Sequence, residues 1–107
     1  MAISTGHKKI KTAVFISGTG SNLKNLIKFS KLKISPISIN LVISNNHYSK
    51  GLRFTKIFKI RKNELDFKKK TLAEKKLLKI MKKNKIELIC LAGFMQILSK
   101  HLIKNFN

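Results

Sequence analysis

The chain has 107 residues, with 24 lysines and arginines against four aspartates and glutamates, a formal net charge of +20 and a single cysteine. That length allows one small domain. One cysteine excludes a disulfide framework, and no apolar run approaches the length of a membrane helix or forms a signal-peptide core, so a cytoplasmic protein with no membrane partner is expected.

The polar start, positions 1 to 9, precedes an apolar run predicting a first strand over Ile10 to Ile16. Next comes Ser17-Gly18-Thr19-Gly20-Ser21-Asn22-Leu23. Two glycines in such a turn permit positive φ and close approach of backbone to a ligand. A helix over about Asn22 to Lys31 follows, with Ser21 or Asn22 available to cap it. Its exposed N–H groups favour an anion, so strand, glycine turn and helix together fit either a phosphate cradle or a strand-to-helix turn that needs two glycines and binds nothing. The pattern is neither a P-loop, since no lysine follows Gly20, nor a dinucleotide fingerprint, since the third glycine position is Leu23.

Ser35-Pro36 breaks the chain. A second strand is expected over Ile37 to Ile43, with Ile37, Ile39, Leu41 and Ile43 on one face and Val42 thickening it toward a buried strand. Residues 45–49 form a loop. Gly51 to Ile60 fits a short helix running into a strand, and 61–70 is a charged connection. Thr71-Leu72-Ala73-Glu74 has the form of a capping box, opening a third helix that ends at Asn84 or Lys85. Leu72, Leu77, Leu78, Ile80 and Met81 recur near helical spacing, Met81 as core filler. Ile86 to Leu91 is the last strand, followed by a loop at Phe94 to Leu98. A short helix over Ser99 to Lys104 closes the pattern, with Leu102 and Ile103 inward. Cys90 sits in the last strand as a small hydrophobe.

Alternation of strands and helices predicts an α/β fold with a parallel, right-handed sheet. Ligands bind such sheets at the carboxyl ends of the strands. Gly18 to Gly20 and Gly93 to Met95 both follow strands and so fall on that edge.

Ile16-Ser17-Gly18-Thr19-Gly20-Ser21-Asn22-Leu23, together with Leu91-Ala92-Gly93-Phe94-Met95-Gln96-Ile97-Leu98-Ser99, resembles the glycinamide ribonucleotide formyltransferase family of purine synthesis. Val42-Ile43-Ser44-Asn45-Asn46 with Gly51-Leu52 adds a looser match. The resemblance runs from Ile10 onward. It implies the formyltransferase fold, a Rossmann-like parallel sheet with flanking helices, and formyl transfer from 10-formyltetrahydrofolate to glycinamide ribonucleotide without a metal. It assigns the substrate phosphate to Gly20, Ser21 and Asn22. It assigns the folate to Met95, Gln96, Ile97 and Leu98, by backbone hydrogen bonds and an apolar wall. Gln96 replaces the usual arginine or lysine, which removes a cation able to meet the folate glutamate tail. Lys70 lines up loosely with a folate-binding arginine, though as part of Lys68-Lys69-Lys70 it also fits a solvated run.

In the family an N-I-H-P-S segment supplies the catalytic asparagine and histidine. This sequence ends at Asn105-Phe106-Asn107, where that segment is expected to begin. Residues 1–107 are therefore expected to be a single, truncated N-terminal part of the domain, with no catalytic residue and no activity alone: either a truncated or frameshifted gene product, or the first piece of a split enzyme with a separate C-terminal half as partner.

The alternative is a small lysine-rich nucleic-acid-binding module. Of the 24 cations only Arg53 and Arg61 are arginine, while isoleucine (15) and asparagine (9) are also abundant. A/T-rich codons favour lysine, isoleucine and asparagine alike, whereas nucleic-acid binding accounts for lysine alone. RNA-binding domains interleave stacking aromatics with basic residues, a pattern absent here, so no specific nucleic-acid partner is expected. The surface field should attract anions, including phosphorylated substrates.

Overall fold

The computed structural model describes residues 8–106. The polar start at positions 1 to 7 lies outside these residues. Strand β1 (Ile10–Ile16) leads through the glycine turn into helix α1 (Ser21–Ser30), and β2 (Ile37–Ser44) returns alongside β1. A 3-10 turn (Lys50–Leu52) and helix α2 (Arg53–Ile57) cross to β3 (Arg61–Glu64). A second 3-10 turn (Phe67–Lys69) opens into α3 (Lys70–Lys83), followed by β4 (Leu88–Leu91) and α4 (Lys100–Phe106). The four strands form one parallel sheet in the order β3-β2-β1-β4.

β1 is buried on both faces from Thr12 to Ile16, as its unbroken apolar run requires of a central parallel strand. Its side chains divide between two cores. Ala13 and Phe15 meet Leu41, Ile43, Leu77, Met81 and Leu102 on the face covered by α3 and α4. Val14 and Ile16 meet Val42, Leu23, Ile27, Leu52 and Phe54 on the face covered by α1 and α2.

The short helix expected within Gly51 to Ile60 forms over Arg53–Ile57, but the strand expected to follow it before Ile60 does not, residues 58–59 being a turn, and β3 forms in what was expected to be a charged connection. Arg61-Lys62-Asn63-Glu64 has no apolar alternation. It is recruited by main-chain pairing with β2, from Leu41 opposite Arg61 to Ser44 opposite Glu64. Charged side chains on such an edge strand also discourage pairing with other molecules.

Strand β2 does not keep one apolar face. Ile39 lies opposite Thr12 and Leu41 opposite Ala13, leaving Asn40 as an unmatched extra residue. This bulge reverses the alternation, so Ile39 packs with Val42 and Val14 while Leu41 and Ile43 point to the other face.

The capping box at Thr71 is not formed. Residues 67–69 are already helical, so Thr71 lies inside the first turn of α3 and has no extended cap geometry to offer. Asp66 caps the preceding turn instead, its carboxylate accepting from the Lys68 amide at 2.9 Å. Glu74 is buried and turns to a residue 25 positions further along the chain. Its carboxylate accepts from the amide of Ser99 at 2.9 Å and from the Ser99 hydroxyl. That hydroxyl in turn accepts from Leu102 N at 3.1 Å, at the start of α4.

Asn84 closes α3, with its amide donating to the Ile80 carbonyl at 2.7 Å. β4 is two residues shorter than predicted. In α4, Leu102 is fully buried, but Ile103 is 60% exposed rather than inward. A helix of seven residues packed on one side buries a single narrow stripe, and the adjacent position turns away.

Candidate functional site

The carboxyl ends of β1, β2 and β4 converge at one edge of the sheet. The loop leaving β1 is tied down on both sides. Gly18 offers its carbonyl to the Gly51 amide at 3.0 Å and to the Ser49 hydroxyl. Ser17 donates its hydroxyl proton to Asn45 Oδ1 and accepts from Met95 N at 2.8 Å. The glycine turn, the end of β2 and the loop after β4 thus share one set of hydrogen bonds.

Gly20 takes a left-handed conformation at φ 79° and stands back to back with Gly51. A Cβ on Gly51 would lie 2.8 Å from both Gly20 Cα and Ile16 Cδ1, and one on Gly20 would run into Gly51 Cα. The paired glycines let the two loops touch through their backbones.

Gly20 itself precedes the first turn of α1, and no side chain caps the helix. The expectation that Ser21 or Asn22 would do so is not met, because the left-handed Gly20 occupies the capping position and places both residues inside the helix. Ser21 and Asn22 are exposed, and their side chains make no hydrogen bond within the described residues. Lys24 and Arg53 border the turn, with Nζ 5.9 Å and Cζ 4.8 Å from the centre of the Phe54 ring.

The loop after β4 is pinned by Phe94, which sits edge-on to Phe15 and Phe67 with both ring centres 5.3 Å away. Beyond this pin, Met95 and Ile97 project outward, 78% and 82% exposed, and Gln96 is exposed with them. Leu98 is half-buried against the α3-side core. Met95 N is engaged by Ser17, whereas the amides of Gln96, Ile97 and Leu98 have no partner among the described residues. Lys70 stands at the start of α3. It lines a hollow of about 370 Å³ with Glu74, Ser99 and His101, next to the end of this loop.

The sequence reading passed over two features of this edge. Ser17 carried no signal beyond its place in the motif, because its partners are 28 and 78 positions away. His47 and Glu64 meet at 2.8 Å between the ends of β2 and β3, beside a hollow of about 610 Å³ that includes Tyr48, Asp66 and Lys68. The His47 hydrogen bond, with help from Lys62, holds the Glu64 carboxyl below the usual carboxylate range, against an opposing effect of burial. A lowered carboxyl pKa means stability that is present above the ordinary value and fades as pH falls through the lowered one. Replacing His47 by alanine should raise the Glu64 midpoint, followed by carboxyl NMR titration. An unchanged midpoint would show that Lys62 alone sets it.

Among the described residues no group of three or more His, Cys, Asp or Glu side chains is placed to hold a metal ion. No helix among them is long and apolar enough to cross a membrane.

Together these features define an α/β protein with a parallel sheet, at one edge of which a glycine turn and a facing loop meet. The chain belongs to the formyl transferase family, whose model matches residues 10–107. It is 40% identical over 101 residues to the trifunctional purine biosynthetic protein adenosine-3 of Gallus gallus, covering 92% of this chain and 10% of that protein. Among solved structures, the phosphoribosylglycinamide formyltransferase of Brucella melitensis superposes with a TM-score of 0.87 at 30% identity, covering 92% of this chain and 53% of that one. The corresponding enzyme of Campylobacter jejuni gives 0.82 at 33% identity, covering 92% and 55%. The chain therefore spans about half the length of these structures and a tenth of the trifunctional relative. The relatives give no support to the nucleic-acid-binding alternative.

Proposed function

We propose that this chain forms the substrate-binding half of a phosphoribosylglycinamide formyltransferase, which moves a formyl group from 10-formyltetrahydrofolate to glycinamide ribonucleotide in purine biosynthesis. The observation carrying this reading is the convergence of the glycine turn and the loop at 95–98 on one sheet edge, linked through Ser17 and Met95 N. Gly20, Ser21 and Asn22 receive the phosphate through the open first turn of α1, where unpaired N–H groups and the helix dipole favour an anion. Lys24 and Arg53 add positive charge at the rim.

Gln96, Ile97 and Leu98 offer backbone groups to the folate, and the exposed Met95 and Ile97 side chains offer an apolar wall. Met95 N is committed to Ser17, so the backbone contacts fall to the other three. Lys70 meets the folate's anionic end as a point charge, without the forked geometry of arginine.

In the reaction the substrate amine attacks the formyl carbon and a tetrahedral oxyanion develops; its collapse breaks the bond from that carbon to the folate nitrogen, and the proton given up by the amine leaves with tetrahydrofolate. Groups that stabilise the oxyanion and relay the proton would come from a second half of the fold, docked at the open edge of β4, where Leu88 and Leu91 are 37% and 57% exposed. No residue of this chain is assigned that role. The reading fits an N-terminal part of a formyltransferase domain working in the cytoplasm.

Calorimetric titration with glycinamide ribonucleotide at physiological salt tests it. Saturable binding is expected, and Asn22→Ala should weaken it about tenfold or more, the loss of one hydrogen bond to a charged group. Asn22 is exposed, so its thermal unfolding should be unchanged. A folded wild-type chain that binds no ligand would sink the proposal.

A further inference from the structure

We propose that Ser17 is a positioning residue that couples the two loops, so that filling the glycine turn strengthens binding at 95–98 and the reverse. The inference rests on the proposed function for the identity of the two ligands. It deepens that reading by assigning a role to a side chain that touches neither.

Ser17 is the first residue after β1, and its hydroxyl has one proton to donate and two lone pairs. The proton goes to Asn45 Oδ1, which fixes the rotation of the hydroxyl and directs a lone pair at Met95 N, 2.8 Å away. This is the one hydrogen bond that residues 95–98 make to the rest of the described fold. Phe94 anchors the loop on one side and Leu98 on the other. Between them, only the bond to Ser17 restrains a stretch whose side chains are largely in solvent.

On its other side Ser17 is bonded directly to Gly18, whose carbonyl is held by Gly51 and Ser49. A ligand resting on the glycine turn adds to the restraint already placed on the Ser17 hydroxyl, and through it to that on the Met95 amide. The second ligand then meets a loop that has already lost part of its freedom, and binds more tightly by the amount not spent on ordering it. Linkage makes the effect reciprocal.

The test is calorimetric titration of the full chain with tetrahydrofolate, which carries no formyl group and cannot turn over, with and without saturating glycinamide ribonucleotide. Wild-type chain should bind tetrahydrofolate about fivefold more tightly, or better, when the ribonucleotide is present. Ser17→Ala should still bind each ligand but without measurable linkage, and Ser17→Thr, which keeps the hydroxyl, should restore it. Should Ser17→Ala not fold, Asn45→Ala, which leaves the hydroxyl undirected, serves for the same comparison. Independent binding in the wild-type chain, or linkage that survives loss of the hydroxyl, overturns the coupling while leaving the proposed function standing. Failure of both ligands to bind the wild-type chain overturns the proposed function and the coupling together.

Discussion

Gly20→Val should be the most damaging single change at the candidate site, lowering stability by about 3 kcal/mol or more. Two effects add. A side chain at φ 79° costs about 1 to 3 kcal/mol in backbone strain. The new Cβ also runs into the Gly51 backbone, which cannot rotate away as a side-chain tip could, and such overpacking costs about 1 to 3 kcal/mol. For a domain of this size the sum corresponds to a fall in Tm of roughly 15 °C, read by thermal unfolding. Gly18→Ala is the control. A Cβ there meets nothing within 4 Å, so stability should change by no more than about 0.5 kcal/mol. If both glycines tolerate substitution equally, the close contact of the two loops is not a real constraint. The comparison also bears on ligand studies: lost binding in Gly20→Val would report a displaced loop, which is why Asn22→Ala is the cleaner probe of phosphate recognition.

Phe15→Ala should cost about 3 to 5 kcal/mol, the usual range for emptying a fully buried aromatic site. Part of that is the edge-on pairing with Phe94, worth about 0.5 to 1.5 kcal/mol beyond the area buried. The more telling consequence is local. Phe94 keeps only Phe67 as an aromatic partner, so residues 95–98 should exchange their amide hydrogens faster than in the wild-type chain. Val14→Ala, on the opposite face of the same strand, destabilises the domain without touching Phe94 and should leave local exchange at 95–98 unaltered. Equal acceleration in both variants would mean that the loop responds to global stability alone.

The sequence made the centre of this fold legible and its margins much less so. β1 and α1 announced themselves through an unbroken apolar run, a glycine turn and helical spacing, all of which are local. β3 did not, because Arg61-Lys62-Asn63-Glu64 becomes a strand through the main chain of β2 and not through any pattern of its own. The bulge at Asn40 was hidden for a related reason: register belongs to a pair of strands, and the second strand is 27 residues away in the case of Ile10 and Ile37. Glu74 shows a local rule overridden by a distant contact, its carboxylate serving Ser99 instead of its own helix. At the candidate site, the residues of both loops were named from their motifs. What joins them, the Ser17 hydroxyl, needed three-dimensional placement to be found.

The strand order carries a consequence for the time course of folding. β1 is made first, and its neighbour on one side, β2, follows soon after, so the β3-β2-β1 part of the sheet can assemble while the rest of the chain is still being synthesised. Its other neighbour arrives late: Lys11 and Glu87 bond across 76 positions. Until β4 and α4 follow, the face of Phe15, Leu41 and Ile43 has α3 within reach but lacks Leu102 of α4, and one side of β1 is unpaired, a period in which a nascent chain is exposed to aggregation. Closing that long loop is the slow kind of step in folding, since non-local pairing must be reached before it is rewarded. The candidate site shares the delay, because its two loops flank the pairing of β1 with β4 and come together only when that pairing is complete.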